Sequence, residues 1–326
     1  MRHQFYERGS WNADINFALV RSMNRVTSIP VTMLSLLLGF AGALLPLASS
    51  CAQTKVVLLG TGTPNADPER SGPAVAVVVN STAYLVDSGP GVVRRAVAAE
   101  RKKGIPALDI TKLQKVFITH LHSDHTVGLP DLIFTPWVLG RTAPLEVYGP
   151  RGLKDMIDNI ERAWAKDIDI RIHGLEQGNT TGYKAQAHEV EPGVIYKDPN
   201  VTVTAFEVKH GSWDQAFGYK FQAADRTVVI SGDTAPTDTV VKACDGCDVL
   251  LHEVYNPRPL TDKASRYFQA FHTSAQELGA IATAARPKLL VLCHQMFEGL
   301  PEQDLVDQVK QDYKGKVVSG HDLDVY

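Results

Sequence analysis

The run Thr119-His120-Leu121-His122-Ser123-Asp124-His125 puts three imidazoles and a carboxylate within six residues, directly after the apolar segment 115–119. A lone histidine is explained by packing or solvation. Four ligand-type side chains crowded at the end of a buried strand repel one another or lie idle unless a metal ion gathers them. The two-residue step from His120 to His122 aims both imidazoles at one ion when the chain is extended, and Asp124 and His125 then turn toward a second. Nitrogen and oxygen donors of this kind suit zinc.

Around this cluster, β-rich apolar runs predict strands at 55–59, 74–79, 83–86, 115–119, 145–148, 201–208, 217–221, 227–230, 249–251 and 289–292. Helical spacing is expected at 92–103, 151–164 and 274–285. The last has Thr273 or Ser274 as its cap, with Glu277 three residues after Ser274. Residues 173–199 are polar and irregular and read as a surface loop region. Short strands lead in both halves and strand–helix alternation follows, which predicts an α/β protein with sheets covered by helices. No short-period repeat and no Gly/Ser-rich linker divides residues 53–326, which read as one domain. An apolar share of 44% is enough for a packed core and excludes disorder as the main state. Four cysteines in 326 residues do not make a disulfide scaffold. Cys244-Asp245-Gly246-Cys247 stays open between a local disulfide, two free thiols and a metal site needing two more ligands.

The N-terminal 52 residues read as a targeting segment. No charged residue occurs from Val26 to Thr54, and Arg21 and Arg25 precede the apolar run 31–48. A basic flank, an apolar run and small residues at Ser50-Cys51-Ala52 match a secretory signal cleaved before Gln53. Cys51 offers a lipoprotein reading, with Leu47 one place early for the usual box, and an uncleaved anchor is the third alternative. Met23 is an alternative start. The whole chain has a net charge of −3. Cleavage would remove four arginines and two acids, leaving 29 basic and 34 acidic side chains. With no long basic run, such a chain is poorly equipped to grip nucleic acid electrostatically. The expected location is periplasmic or secreted, with no stable membrane span after processing.

His-x-His-x-Asp-His after an apolar strand resembles the metallo-β-lactamase superfamily. Other landmarks follow in order: Asp87 in Leu85-Val86-Asp87-Ser88-Gly89, His210 before Gly211, Asp233 in Ser231-Gly232-Asp233-Thr234, and His294 after residues 289–293. Tyr148-Gly149-Pro150, Phe217-Gly218-Tyr219, His252-Glu253 and His272-Thr273-Ser274 are similar to its ribonuclease Z-like branch. The resemblance implies an αββα sandwich with two zinc ions at one edge of the sheets. His120, His122 and His210 would hold the first ion. Asp124, His125 and His294 would hold the second, with Asp233 bridging. It further implies ester hydrolysis by a hydroxide held between the ions, which Asp124 would orient. His272 is the candidate proton donor to the leaving group, and Glu253 would orient a histidine. The plain alternatives are a helix-start histidine without chemistry and a structural carboxylate. His252 reads as structural; His173, His188 and His321 have no ligand-like context. Common β-lactamases carry Cys where this chain has Asp233, which lowers β-lactam hydrolysis to a minor reading. The Gly60-Thr61-Gly62-Thr63-Pro64 loop lacks the Gly-Lys-Ser/Thr of a P-loop and is expected to shape the rim.

Which ester follows from two features. Related bacterial ribonuclease Z enzymes carry a transfer-RNA-gripping arm between their Gly-Tyr and Gly-Asp motifs; here only residues 220–231 separate Tyr219 from Gly232. Together with the export signal, this predicts small ester substrates and no transfer RNA. The runs Gly128-Leu129-Pro130-Asp131-Leu132 and 144–150 are similar to an exported arylsulfatase-like group. The expected substrate is therefore an aryl sulfate or a phosphate (di)ester. A ribonuclease Z-like phosphodiesterase, a lactonase and a non-catalytic metal sensor are the alternatives. Pro136-Trp137 and Trp213-Asp214 are candidate aromatic walls, with core packing as the other reading. Homodimerisation stays open.

Overall fold

The computed structural model describes residues 53–257 and 262–326. The signal, lipid-anchor and membrane-anchor readings fall on residues 1–52, outside the described residues. β1 (Thr54–Gly60), β2 (Ala74–Val79) and β3 (Thr82–Val86) make an antiparallel meander. β4 (Lys115–Phe117), β5 (Leu145–Gly149) and β6 (Ala185–Glu189) extend it in parallel into a six-stranded sheet whose order follows the chain. A second, seven-stranded sheet runs β13 (Val317–Ser319), β12 (Leu289–Met296), β11 (Val249–Tyr255), β10 (Thr227–Ile230), β9 (Phe217–Ala223), β8 (Val201–Glu207), β7 (Gly193–Lys197).

β1 shows why the central strands read as unbroken apolar runs. Side chains alternate across a strand, so a strand buried on both faces needs apolar residues at every position. Val56 and Leu58 pack between the sheets with Phe217 and Phe221. Val57 and Leu59 face the other way, into a layer formed by α1 (Val92–Lys103), α3 (Leu129–Val138) and α4 (Leu153–Ala163). The second sheet is covered by α6 (Asp238–Cys244), α8 (Ala275–Ala285) and α9 (Glu302–Asp312) through Val240, Leu278 and Val309. The architecture is the expected αββα sandwich. The short α2 (Ser123–Thr126) lies within the histidine cluster, α5 (Ala165–His173) follows α4, and α7 (Asp262–Phe271) precedes α8. No helix among the described residues is long and apolar enough to cross a membrane.

Three local readings meet the structure directly. Ser274 caps α8 with a reciprocal capping box to Glu277, as the spacing predicts. Cys244 and Cys247 form a disulfide at the end of α6. Residues 173–199, expected as irregular loop, instead contain β6 and β7. These are edge strands, one on each sheet, paired on one side and largely exposed or half-buried. An edge strand that buries little carries no apolar alternation for a sequence reading to find.

Arg141 shows how the helix after the histidine cluster is held. Pro136 lies inside α3 and has no N–H for the Leu132 carbonyl four residues before it. The Arg141 guanidinium fills that place: Nη1 donates to Leu132 O (3.0 Å) and Leu113 O (2.9 Å), and Nη2 to Ile133 O (2.7 Å) and Gly182 O (2.9 Å). It is 1% exposed, and burial pushes its pKa down to about 10, which leaves it charged at neutral pH. Arg141→Met would strand buried carbonyls; a loss of about 3 kcal/mol is expected in urea unfolding. An unchanged midpoint would show that these bonds do not hold α3.

Candidate metal centre

The candidate residues lie at or beyond the ends of strands along one rim. β3 leads to Asp87, β4 to residues 118–125, β8 to His210 and β10 to Asp233; β11 carries Glu253 and β12 carries His294. The opposite sheet holds the chain that leaves β4: Phe217 N donates to Thr119 O (2.9 Å), and the Tyr219 hydroxyl to Ile118 O (2.6 Å). Gly128 fits against the 88–89 turn so closely that a Cβ there would lie 2.3 Å from Gly89 O.

Two sets of ligand-type atoms result. His122 Nδ1 is 2.9 Å from His120 Nε2 and 3.1 Å from His210 Nε2. Asp124 Oδ2 is 3.3 Å from His294 Nε2 and 3.5 Å from His125 Nε2. Asp233 Oδ2 lies 3.5 Å from both His125 Nε2 and His294 Nε2. Each of the triads His120–His122–His210 and Asp124–His125–His294 has its atoms within 4.8 Å of one another. Asp233 forms further such groups with His120 and His125, and with His210 and His272, so it lies between the sets. The structure thus brings together all seven residues expected to hold metal.

The chemistry of these donors fits a metal. Burial, helped by the charge of His125, holds the His120 imidazole well below its ordinary pKa; at His210 burial, with His272 and His122 adding to it, outweighs Asp233 and the Phe271 hydrogen bond and brings it to about 4. Neutral rings present lone pairs. The outer nitrogens fix which one: His210 Nδ1–H donates to Phe271 O (2.8 Å), leaving Nε2 free to coordinate. Thr119 Oγ1 lies 3.0 Å from both His120 Nδ1 and the Asp87 carboxylate, so a chain of donors orients that ring too. Burial opposes the charged forms of Asp233 and Asp124, yet the facing His294 and His125 hold both below the ordinary carboxylate range. His125 is the exception. Despite burial, Asp233 and Asp87 raise it well above the ordinary histidine value, so a metal must displace its proton. Its buried Nε2 has no hydrogen-bond partner.

Backbone strain marks the same place. Asp87 (φ 61°) and His294 (φ 44°) both occupy the left-handed region. His294 is the extra residue of a bulge in β12: Glu253 pairs with Cys293, and Val254 with Gln295. A bulge re-aims one side chain without ending the strand.

Next to this centre, Glu253 Oε1 accepts from Thr273 N (2.9 Å) and Thr234 N (3.2 Å) and lies 3.4 Å from His272 Nδ1. His252 is fully buried outside the metal groups, with Nδ1 2.7 Å from Glu253 O. His173, His188 and His321 pair with Asp169, Glu146 and Glu302, away from the centre. The two aromatic candidates separate. Trp213 reaches His122, but Trp137 is 3% exposed in the core and its indole donates to Asn179 O, so it is no wall of the site. The 63–72 loop lines a cleft of about 500 Å³ that ends at Ser123, Asp124 and Val127, as a rim segment would. The orienting roles of Thr119 and of the Phe271 carbonyl carry no sequence signal; both depend on the fold.

Two sheets between helices, with histidine and aspartate donors converging beyond the strand ends, define a metal-dependent hydrolase. A family model described as a beta-lactamase superfamily domain matches residues 82–295. Ribonuclease Z of Mycobacterium bovis (strain BCG / Pasteur 1173P2) is 31% identical over 278 residues, covering 82% of this chain and 96% of that protein. Ribonuclease Z of Mycobacterium sp. (strain KMS) is 34% identical over 256 residues, covering 77% and 87%. Among solved structures, human tRNase Z, short form, aligns with a TM-score of 0.63 and 26% identity over 84% of this chain and 98% of that one. The chain belongs to the metallo-β-lactamase superfamily, in its ribonuclease Z-like branch.

Asp87 supplies the test of this construction. Asn tolerates the left-handed backbone at this position but removes the charge that faces His125 Nδ1 at 2.8 Å. Asp87→Asn should weaken divalent-metal binding by about 10–100-fold in chelator competition, with the far-UV circular dichroism unchanged. Native affinity in the variant would remove Asp87 from the construction.

Proposed function

We propose that this chain is an exported, two-zinc phosphodiesterase of small phosphodiesters. The observation that carries the reaction class is the similarity to ribonuclease Z across 96% of that protein's length. His120, His122 and His210 would hold one ion, Asp124, His125 and His294 the other, with Asp233 shared. Bound there, the ions supply Lewis acidity and an activated water. The chain's own residues do the rest. Asp124, beside the second ion, orients the attacking water. His272 holds a proton: burial disfavours its charge, but Glu253 and Asp233 raise its pKa above 6.5. Its nearness to Asp233 and His210 puts that proton beside the reacting centre, where a departing alkoxide needs it.

Substrate size rests on the link between β9 and β10. The strands join through residues 224–226, with Ala223 N donating to Arg226 O at 2.9 Å, so no arm projects there. Small diesters suit such a site better than precursor transfer RNA. Aryl sulfates share the tetrahedral oxyanion, but the relatives named above point to phosphodiesters. A non-catalytic sensor is disfavoured because all seven ligand-type residues are present. The Cys244–Cys247 disulfide supports an oxidising compartment and hence export. Intact mass of the protein from the cell envelope or medium should match a chain beginning near Gln53; a full-length cytoplasmic chain would end the export reading.

The zinc-loaded protein should release nitrophenol from bis(p-nitrophenyl) phosphate faster than from p-nitrophenyl sulfate and leave precursor transfer RNA uncut. His272→Ala should keep its zinc and lose about 10²–10⁴-fold in turnover, most for poor leaving groups. Because the protonated form of His272 acts, the basic limb of the native pH profile should lie above 6.5 and vanish in the variant. Efficient cleavage of precursor transfer RNA would overturn the size argument, and zinc loss in His272→Ala would make that residue a ligand.

A further inference from the structure

Within the first triad, His120 and His210 are 0% and 1% exposed, whereas His122 is half-buried and marks the open side. Two aromatic rings flank His122, and a third extends the second. Trp213 stands edge-on to His122, with ring centroids 5.0 Å apart at 84°, and its indole nitrogen lies 2.9 Å from His122 Nε2. Phe271 lies nearly parallel to His122 at 6.4 Å and edge-on to His210 at 5.0 Å. Tyr267, one turn earlier on α7, stacks on Phe271 at 4.6 Å and 20°.

The arrangement is built into the backbone. Gly211 has φ +55°, and a Cβ there would lie 2.0 Å from the Phe271 ring. Gly211 N donates to Ala270 O at 2.9 Å, and Trp213 N to His210 O at 3.1 Å. The turn that follows His210 is thus moulded to Phe271 and presents Trp213 beside it. The pair on α7 is nonetheless incompletely covered, since Tyr267 is 47% exposed. Burial, with the charges of Asp233, Asp124 and Glu253, raises the Tyr267 phenol. Its ring lies 5.9 Å from that of His272, beside the metal centre.

Stacked rings open to solvent at the mouth of a hydrolytic centre gain most from a flat partner that displaces water from their faces. We propose that Trp213, Phe271 and Tyr267 form a subsite for a planar aromatic ring carried on one ester arm of the substrate. The proposal rests on the phosphodiesterase reading and narrows it: diesters with an aryl or nucleoside arm are the substrates, and purely alkyl diesters are poor ones. The Trp213 contact with His122 would also let a seated ring be sensed at the metal.

The test is direct binding to the zinc-loaded protein by calorimetry, using methyl phosphate, phenyl phosphate and thymidine monophosphate, with quenching of tryptophan emission as a second readout. Phenyl phosphate should bind about tenfold more tightly than methyl phosphate. Tyr267→Ala and Trp213→Ala should each lower that ratio, whereas Tyr267→Phe, which keeps the ring, should preserve it. Binding of thymidine monophosphate as tight as that of phenyl phosphate supports a nucleoside arm; preference for phenyl phosphate alone supports an aryl arm. Equal binding of the methyl and phenyl esters overturns the subsite, as does a preference that both alanine variants leave intact. If none of the three esters binds although bis(p-nitrophenyl) phosphate is hydrolysed, the subsite fails and the reaction class stands. If that diester is also refused, the phosphodiesterase reading itself fails.

Discussion

The buried Asp87 carboxylate is the contact on which the metal centre depends. It accepts from the Thr119 backbone (2.8 Å) and hydroxyl (3.0 Å), and faces His125 Nδ1 at 2.8 Å. One charge therefore shapes the start of the histidine cluster and orients a ring at its end. It sits where β3 stops, in a left-handed conformation that few side chains tolerate. A buried carboxylate is costly unless its lone pairs are used, and here several donors use them. Through Thr119, the same charge extends to His120.

The rest of the centre follows from strand geometry. Strands of two sheets end at one rim: β4 leads to four of the donors, and β8, β10 and β12 supply one each. Close-packed layers resist deformation, so the strand ends hold the donors near one another before an ion arrives. The adjustments are local: a bulge turns His294 inward, and Gly211 lets Phe271 close over His210. Carboxylates face the two histidines whose affinity for a proton is raised: Asp233 and Asp87 at His125, Glu253 and Asp233 at His272.

Rigid strand ends for the ions and adaptable turns for the substrate make a workable division. The surfaces that would meet a substrate arm belong to the 63–72 loop, the turn after His210 and α7, all connections or short elements. A branch that shares its metal chemistry can change substrates by altering these parts.

How much was legible in the sequence depended on whether the information was local. His120, His122, Asp124 and His125 lie within six residues, so their spacing alone announced a metal. The α8 capping box and the doubly buried strands were equally local, since both are periodic or short-range patterns. His210, Asp233 and His294 stand alone in the sequence, and only a family resemblance singled them out; the fold is what brings their atoms within reach of the cluster. Trp137 and Trp213 both lie downstream of candidate metal histidines, yet one sits in the core and the other at the mouth. Helix phase and the turn at Gly211 settle that difference. The edge strands β6 and β7 escaped notice because they bury too little to need a pattern. By itself, then, the sequence determined the layers and the presence of a metal-binding turn, for periodicity and short spacing are properties of neighbouring residues. Which nitrogen faces the ion, which aromatic rings border it and how far the rim lies open were decided only by tertiary structure, because each depends on contacts between segments far apart along the chain.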